Sequence, residues 1–148
     1  MEKDLKAVSI LLVEDSPDDV EITRRALQRG QVKNNLMVAR DGEEALDILY
    51  SRRDADGALP GLILLDLNLP KVDGREVLEK IKSDPKLKRI PVIALTSSTR
   101  EEDVVRTYDL GVNTFISKPV RFEDFIRVIA TIRDYWILIA TLPPVDHN

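Results

Sequence analysis

The chain has 148 residues, of which 43% are hydrophobic and 32% are charged, so it can bury the core of about one domain. Its net charge of -4 gives no basic excess, and we therefore expect neither nucleic acid nor a membrane as a partner. There is no cysteine, and the single histidine, His147, lies one residue from the end, which excludes disulfides, catalytic triads and multi-histidine metal sites.

No targeting or membrane-spanning segment is predicted. Residues 1–7 are rich in charge, and the apolar run that follows is too short for a signal peptide. The apolar stretch around residues 136–140 falls well short of the ~20 residues needed to cross a bilayer. We expect a cytoplasmic protein.

Five short apolar runs, near continuous rather than alternating, predict strands that are buried on both faces. They are Val8–Val13, Leu36–Ala39, Leu62–Leu65, Ile90–Leu95 and Thr114–Ile116. Helical periodicity lies between the runs: a first helix from the cap Ser16 and Pro17 to Gly30, and others over about 42–53, 74–83, 100–110 and 122–141. The alternation predicts an α/β fold, a doubly wound parallel sheet with helices on both faces.

The ends of the predicted strands carry chemically distinctive residues. Glu14 and Asp15 follow the first run, Asp66 the third, Thr96 the fourth and Lys118 the fifth. Each alone has a plainer interpretation as a loop acid, a cap or a solvated lysine, but ligands bind outside the carboxyl ends of parallel strands, where these residues converge. Carboxylates ~4 Å apart repel by up to ~4 kcal/mol per pair, so the group requires a cation, and oxygen ligands favour Mg²⁺. We hypothesise chemistry linked to Mg²⁺ and phosphate.

Four motifs in this order resemble the receiver domains of two-component response regulators, over about residues 9–135. They are Leu12-Val13-Glu14-Asp15, Leu64-Leu65-Asp66-Leu67-Asn68-Leu69-Pro70 with Gly74, Leu95-Thr96-Ser97-Ser98, and Phe115-Ile116-Ser117-Lys118-Pro119. The resemblance implies a flavodoxin-like receiver fold with five parallel strands in the order 2-1-3-4-5.

The resemblance also implies the chemistry of the site. Asp66 would be the phosphoacceptor, taking a phosphoryl group from a phosphohistidine on a partner histidine kinase. Asp15, Asp66 and the backbone carbonyl of Asn68 would hold Mg²⁺, and Glu14 would act on the ion through water. Glutamate at position 14, where aspartate is commoner, reaches further towards the ion.

Three further residues receive roles from the same resemblance. Lys118, aimed by a cis peptide bond to Pro119, would contact one phosphoryl oxygen. Thr96 would bind another oxygen after phosphorylation, and Phe115 would change rotamer with it, as the two switch residues. Because Phe115 lacks the hydroxyl of a tyrosine, its switching would depend on packing alone.

The C-terminal region predicts a dimer. We expect a single receiver over 1–148, with its core at about 8–133, a helical extension and tail over about 134–148, and no output domain. The last helix is apolar nearly all round in its distal part, which favours a homodimer, although folding back onto its own domain is the alternative. The dimer residues predicted from its periodicity are Phe125, Val128, Ile132, Tyr135, Trp136 and Ile139.

A narrower resemblance links the chain to the stand-alone regulators paired with bacterial and cyanobacterial phytochromes. It rests on Glu14–Asp19, Asp66–Glu76 and Asp134-Tyr135-Trp136 with the apolar segment that follows. It implies a light-regulated histidine kinase as phosphodonor and a dimer through the last two helices and the strand between them. The output stays open, and a downstream phosphotransfer protein is one possible recipient.

Two other function classes compete with this interpretation. Aspartate-nucleophile phosphohydrolases share the Mg²⁺ and the strand-end aspartate, but typically use Asp-x-Asp, and here Asn68 replaces the second acid. A docking module that works without phosphorylation is the second alternative, and the complete set Asp15, Asp66, Thr96 and Lys118 argues against it. The glycines form neither of the common nucleotide-binding motifs.

Overall fold

The computed structural model describes residues 8–29, 34–69, 71–97, 106–112 and 114–118, together with Arg121, Glu123 and Arg127. Its strands are β1 (Val8–Val13), β2 (Asn34–Ala39), β3 (Leu62–Asp66), β4 (Val92–Thr96) and β5 (Thr114–Ser117). They pair in parallel in the order β2-β1-β3-β4-β5. The predicted fold class and strand order are confirmed.

Helices cover both faces of the sheet. They are α1 (Pro17–Arg29), α2 (Gly42–Asp54) and α3 (Gly74–Ser83), with a short 3-10 helix at Leu87–Arg89. Residues from α1 pack with one set of sheet residues, and residues from α2 and α3 pack with the other set. The ends of these three helices agree with the predicted ends to within one residue.

The continuous apolar runs are explained by burial on both faces. Side chains alternate along a strand, so Leu11 and Val13 of β1 join the core beneath α2 and α3, while Ile10 and Leu12 join the core beneath α1. Every residue of β3 and β4 is buried. A parallel sheet covered by helices on both sides leaves no strand face for polar residues.

The fourth strand begins later than its apolar run predicts. The run starts at Ile90, whereas β4 starts at Val92. The amide of Ile90 donates to the carbonyl of Leu87 and so closes the 3-10 helix. Pro91 has no amide hydrogen to give to the sheet. The apolar pattern correctly indicates that Ile90 is buried, but it does not reveal that Ile90 ends the 3-10 helix instead of starting the strand.

Several predictions concern residues that the structure does not describe. These are Pro119 with the cis peptide bond before it, the segment 100–105 of the fourth predicted helix, and the dimer residues Phe125, Val128, Ile132, Tyr135, Trp136 and Ile139. Within the described ranges, residues 106–109 are helical, as are Glu123 and Arg127. None of the helices in those ranges combines the length and apolarity needed to cross a bilayer.

Candidate functional site

The sheet register brings the predicted site residues together at the carboxyl edge. Val13 pairs with Leu65, so Glu14 and Asp66 follow at neighbouring positions on adjacent strands. Glu14, Asp15 and Asp66 each offer a carboxylate oxygen, and these oxygens lie within 4.8 Å of one another. The three carboxylates predicted from the strand ends therefore form one cluster.

Asp66 is held at the base of this cluster. Its side chain is 2% exposed. Its Oδ1 accepts a hydrogen bond of 2.9 Å from the backbone amide of Asn68, and its Oδ2 accepts one of 3.1 Å from Nζ of Lys118. The two oxygens thus have different partners, and Oδ2 is the oxygen that faces the ammonium group of Lys118.

Lys118 contacts two carboxylates of the cluster and one carboxylate outside it. Its backbone amide donates to the carbonyl of Thr96, at 2.8 Å, which fixes the start of its side chain beside β4. Its Nζ lies 3.1 Å from Oε1 of Glu14, 3.1 Å from Oδ2 of Asp66 and 2.9 Å from Oδ2 of Asp19. An ammonium group has three N–H donors, so three carboxylates can occupy all of them.

The same contacts change the acidity of Lys118. Burial alone would lower the pKa of Lys118, but hydrogen bonds to Asp19 and Asp66 and the negative charge of Asp66 raise that pKa above its usual value. The side chain is 15% exposed. Lys118 therefore stays charged across the physiological range.

Glu14 is the most buried acid of the cluster. Its side chain is 1% exposed, and its Oε2 accepts from the amide of Ser16 at 3.3 Å. Burial and the negative charge of Asp66 raise the pKa of Glu14 from 4.5 to about 7, although Lys118 opposes the shift. In the metal-free protein this carboxyl is therefore partly protonated near neutral pH.

The donor set fits a hard divalent cation. Glu14, Asp15 and Asp66 supply only oxygen ligands, and Asp15 is exposed at the rim of the cluster. Such ligands suit Mg²⁺, which retains several waters and binds one or two carboxylates. Asn68 is also exposed, and its side-chain amide donates to Oγ of Ser97 at 3.2 Å, joining the loops after β3 and β4. The role of the Asn68 carbonyl as a metal ligand stays a prediction.

The start of α3 fixes the position of the loop that follows β3. A Cβ atom on Gly74 would lie 2.4 Å from the carbonyl oxygen of Asp66 and 2.5 Å from Cα of Leu67. No real Cβ makes contacts this short. Only glycine allows the helix to pack against the backbone that carries Asp66.

The two predicted switch residues lie on β4 and β5, the last two strands in the order of the sheet. Thr96 ends β4 and is 4% exposed. Phe115, on β5, is half-buried, and its ring meets that of Tyr108 edge to face, with centroids 4.6 Å apart. Tyr108 is 48% exposed, so solvent borders the ring that covers Phe115.

Sequence reasoning missed Asp19 as a member of the site. The sequence pattern gave Asp19 no role in the site; the structure places Asp18 and Asp19 in the first turn of α1, where acids suit the positive end of a helix. A signal was available, because Asp19 precedes Thr23 by four residues, and Thr23 is buried on the inner face of α1. The cap was predicted correctly, since Oγ of Ser16 accepts from the amide of Asp19 at 3.2 Å.

Comparisons with known proteins agree with this fold and site. The sequence matches the response regulator receiver domain over residues 10–130. The response regulator Rcp1 of Synechocystis sp. is 43% identical over 135 residues, which cover 90% of this chain and 92% of Rcp1. The crystal structure of the Mn²⁺-bound form of Rcp1 has a TM-score of 0.71 at 41% identity and covers 93% of this chain and 99% of that one.

Two further solved structures are similar over nearly the whole chain. The bacteriophytochrome response regulator AtBRR has a TM-score of 0.74 at 44% identity and covers 97% of this chain and 99% of its own. The phosphorylated cyanobacterial phytochrome response regulator RcpA has a TM-score of 0.75 at 44% identity and covers 94% of this chain and 100% of its own. The chain therefore belongs to the response regulator receiver family of two-component signalling, and is a signalling phosphoacceptor rather than a catalytic enzyme.

Proposed function

We propose that Asp66 accepts a phosphoryl group from a histidine kinase in a reaction that depends on Mg²⁺. The observation that carries this proposal is the contact of Asp66 with Lys118 inside the cluster formed with Glu14 and Asp15. A buried carboxylate with a cation on one oxygen and an amide on the other is oriented for attack on phosphorus. The family match sets aside the phosphohydrolase alternative.

The proposed transfer is a simple displacement. Oδ2 of Asp66 attacks the phosphorus of the phosphohistidine, the new P–O bond forms as the P–N bond breaks, and the histidine takes a proton from solvent and leaves as neutral imidazole. Lys118 stays at the site and donates to a phosphoryl oxygen, which offsets the negative charge of that oxygen. Thr96 donates to a second oxygen, and Phe115 repacks with it as the switch.

We infer that the divalent ion is Mg²⁺. Asp15 and Asp66 would hold it, with the backbone carbonyl of Asn68, and Glu14 would act through water. A bound ion supplies positive charge that offsets the charge on the transferring phosphoryl oxygens. The Mn²⁺-bound form of Rcp1 supports a divalent cation in a relative of this chain.

A phytochrome kinase is the phosphodonor that we propose. The support is that AtBRR and RcpA, both 44% identical to this chain, are named as phytochrome response regulators. Transfer from a purified bacterial phytochrome kinase, compared with a histidine kinase that has no photosensory domain, tests this step. The homodimer, a downstream phosphotransfer partner and a cytoplasmic location stay predictions.

Intact mass spectrometry tests the phosphoacceptor directly. Wild type and Asp66→Asn are incubated with acetyl phosphate, with and without Mg²⁺, and Asp47→Asn, which changes an exposed acid of α2, is the matched control. One phosphoryl group is expected on wild type and the control, only with Mg²⁺, and none on Asp66→Asn. No addition to folded wild type would favour the docking module that works without phosphorylation.

A further inference from the structure

Lys118 has a third acidic partner that lies outside the carboxylate cluster. Oδ2 of Asp19 is 2.9 Å from Nζ of Lys118, which is shorter than the contacts of that nitrogen with Glu14 and Asp66. Asp19 belongs to α1, whereas Glu14 follows β1 and Asp66 ends β3. Lys118 is therefore held from two sides, by the strand ends and by the first helix.

The three partners differ in what a divalent ion does to them. Glu14 and Asp66 belong to the carboxylate cluster, in which each of three residues offers an oxygen within 4.8 Å of the others. Asp19 is not a member of that cluster. A divalent ion held by the cluster would compensate the negative charges of Glu14 and Asp66 and would repel the ammonium of Lys118. Of the three carboxylate partners of Lys118, Asp19 is then the one whose negative charge the ion does not compensate directly.

We propose that Asp19 is a positioning residue that holds the Lys118 ammonium at the phosphorylation site when the cluster binds a divalent ion. This inference rests on the proposed function of Asp66 and Lys118. Asp19 gives Lys118 an alternative to Glu14 and Asp66, so the ion displaces the ammonium from those carboxylates more easily. It also keeps the ammonium close enough to donate to the incoming phosphoryl group.

The position of Asp19 at the start of α1 does not by itself explain this contact. Asp18 occupies the same first turn and has the same charge, so both acids interact with the positive end of the helix. The structure pairs Lys118 with Asp19, which is 29% exposed, while Asp18 is exposed. Asp18→Asn is therefore a matched control that removes one nearby negative charge and leaves the Lys118 contact.

Binding of MnCl₂ alone, followed by electron paramagnetic resonance, gives a readout independent of phosphorylation. Asp19→Asn is expected to weaken Mn²⁺ binding about tenfold, equivalent to about 1.4 kcal/mol at 25 °C, and to slow phosphorylation by acetyl phosphate at saturating Mg²⁺. Asp18→Asn should change either value by less than about twofold, and Asp19→Glu should recover part of the loss. Urea unfolding of each variant checks that the fold is retained.

A Lys118→Met background shows whether Asp19 acts through Lys118. In that background, Asp19→Asn should weaken Mn²⁺ binding by less than about twofold, because the ammonium that Asp19 holds is gone. Lys118→Gln serves the same purpose if the first variant does not fold. Equal Mn²⁺ binding by wild type and Asp19→Asn, or a full tenfold effect without Lys118, would overturn the inference. Wild type that binds Mn²⁺ but takes no phosphoryl group would contradict the proposed function instead.

Discussion

Replacing Glu14 by glutamine should stabilise the metal-free protein at alkaline pH. In the folded chain the pKa of Glu14 is raised from 4.5 to about 7 by burial and by the charge of Asp66. A group whose pKa is raised on folding contributes stability that is fully present below the unfolded value, here 4.5, and is lost as the pH rises through about 7. The glutamine keeps the shape of the neutral acid but cannot ionise.

The shift sets the size of the expected effect. A change of pKa from 4.5 to about 7 corresponds to about 3 kcal/mol of differential stability, at 1.36 kcal/mol per unit. Wild type and Glu14→Gln should therefore have similar free energies of unfolding near pH 4.5, and the variant should be more stable by about 3 kcal/mol at pH 8. Urea unfolding in the presence of a chelator, at intervals between these two pH values, measures the difference.

A control and a metal titration complete the test. Glu79→Gln removes an exposed acid of α3, and its stability relative to wild type should change much less over the same pH range. Saturating Mg²⁺ at pH 8 should stabilise wild type more than Glu14→Gln, since the ion compensates the buried charge. A stability difference between wild type and Glu14→Gln that is the same at pH 4.5 and pH 8 would refute the electrostatic argument.

Two further predictions concern the packing that positions the site. Gly74→Ala places a Cβ 2.4 Å from the carbonyl of Asp66, so it should destabilise the fold by about 1–3 kcal/mol in urea and slow phosphorylation of the folded fraction. Unchanged phosphorylation and stability would show that α3 can shift without cost. Leu64→Ala empties a fully buried position of β3 and should cost about 2–5 kcal/mol in the same assay, whereas a loss under 1 kcal/mol would mean that the core collapses around the gap.

The sheet could be predicted from the sequence because its signals are local. Runs such as Leu62–Leu65 are short and apolar at every position, as expected for a strand that helices cover on both faces. The strand order came from the resemblance, since periodicity does not say which strands pair. The start of β4 was misplaced by two residues, because Ile90 is buried in a turn rather than in the sheet.

The site could be predicted only in part, because strand ends and helix faces carry different information. Glu14 follows β1 and Asp66 ends β3, and these strands are neighbours in the sheet, so topology alone brings the two acids to one edge. Asp19 reaches the same edge from α1, and its contact with Lys118 depends on the rotation of that helix about its axis. The helix dipole is a sufficient local explanation for both acids of the first turn, and only the four-residue spacing from Asp19 to the buried Thr23 distinguishes Asp19 from Asp18.

The balance of charge connects the ion, the proton and Asp19. Glu14, Asp19 and Asp66 all lie within ion-pair distance of Lys118, and Asp15 adds a fourth carboxylate beside Glu14 and Asp66. If all four were ionised, three negative charges would be uncompensated around two buried side chains, which is unfavourable at low dielectric. A proton on Glu14 relieves one of these charges and a divalent ion relieves two. Because the proton and the ion relieve the same repulsion, each weakens the binding of the other, and the site responds to a divalent ion and to pH as one coupled unit.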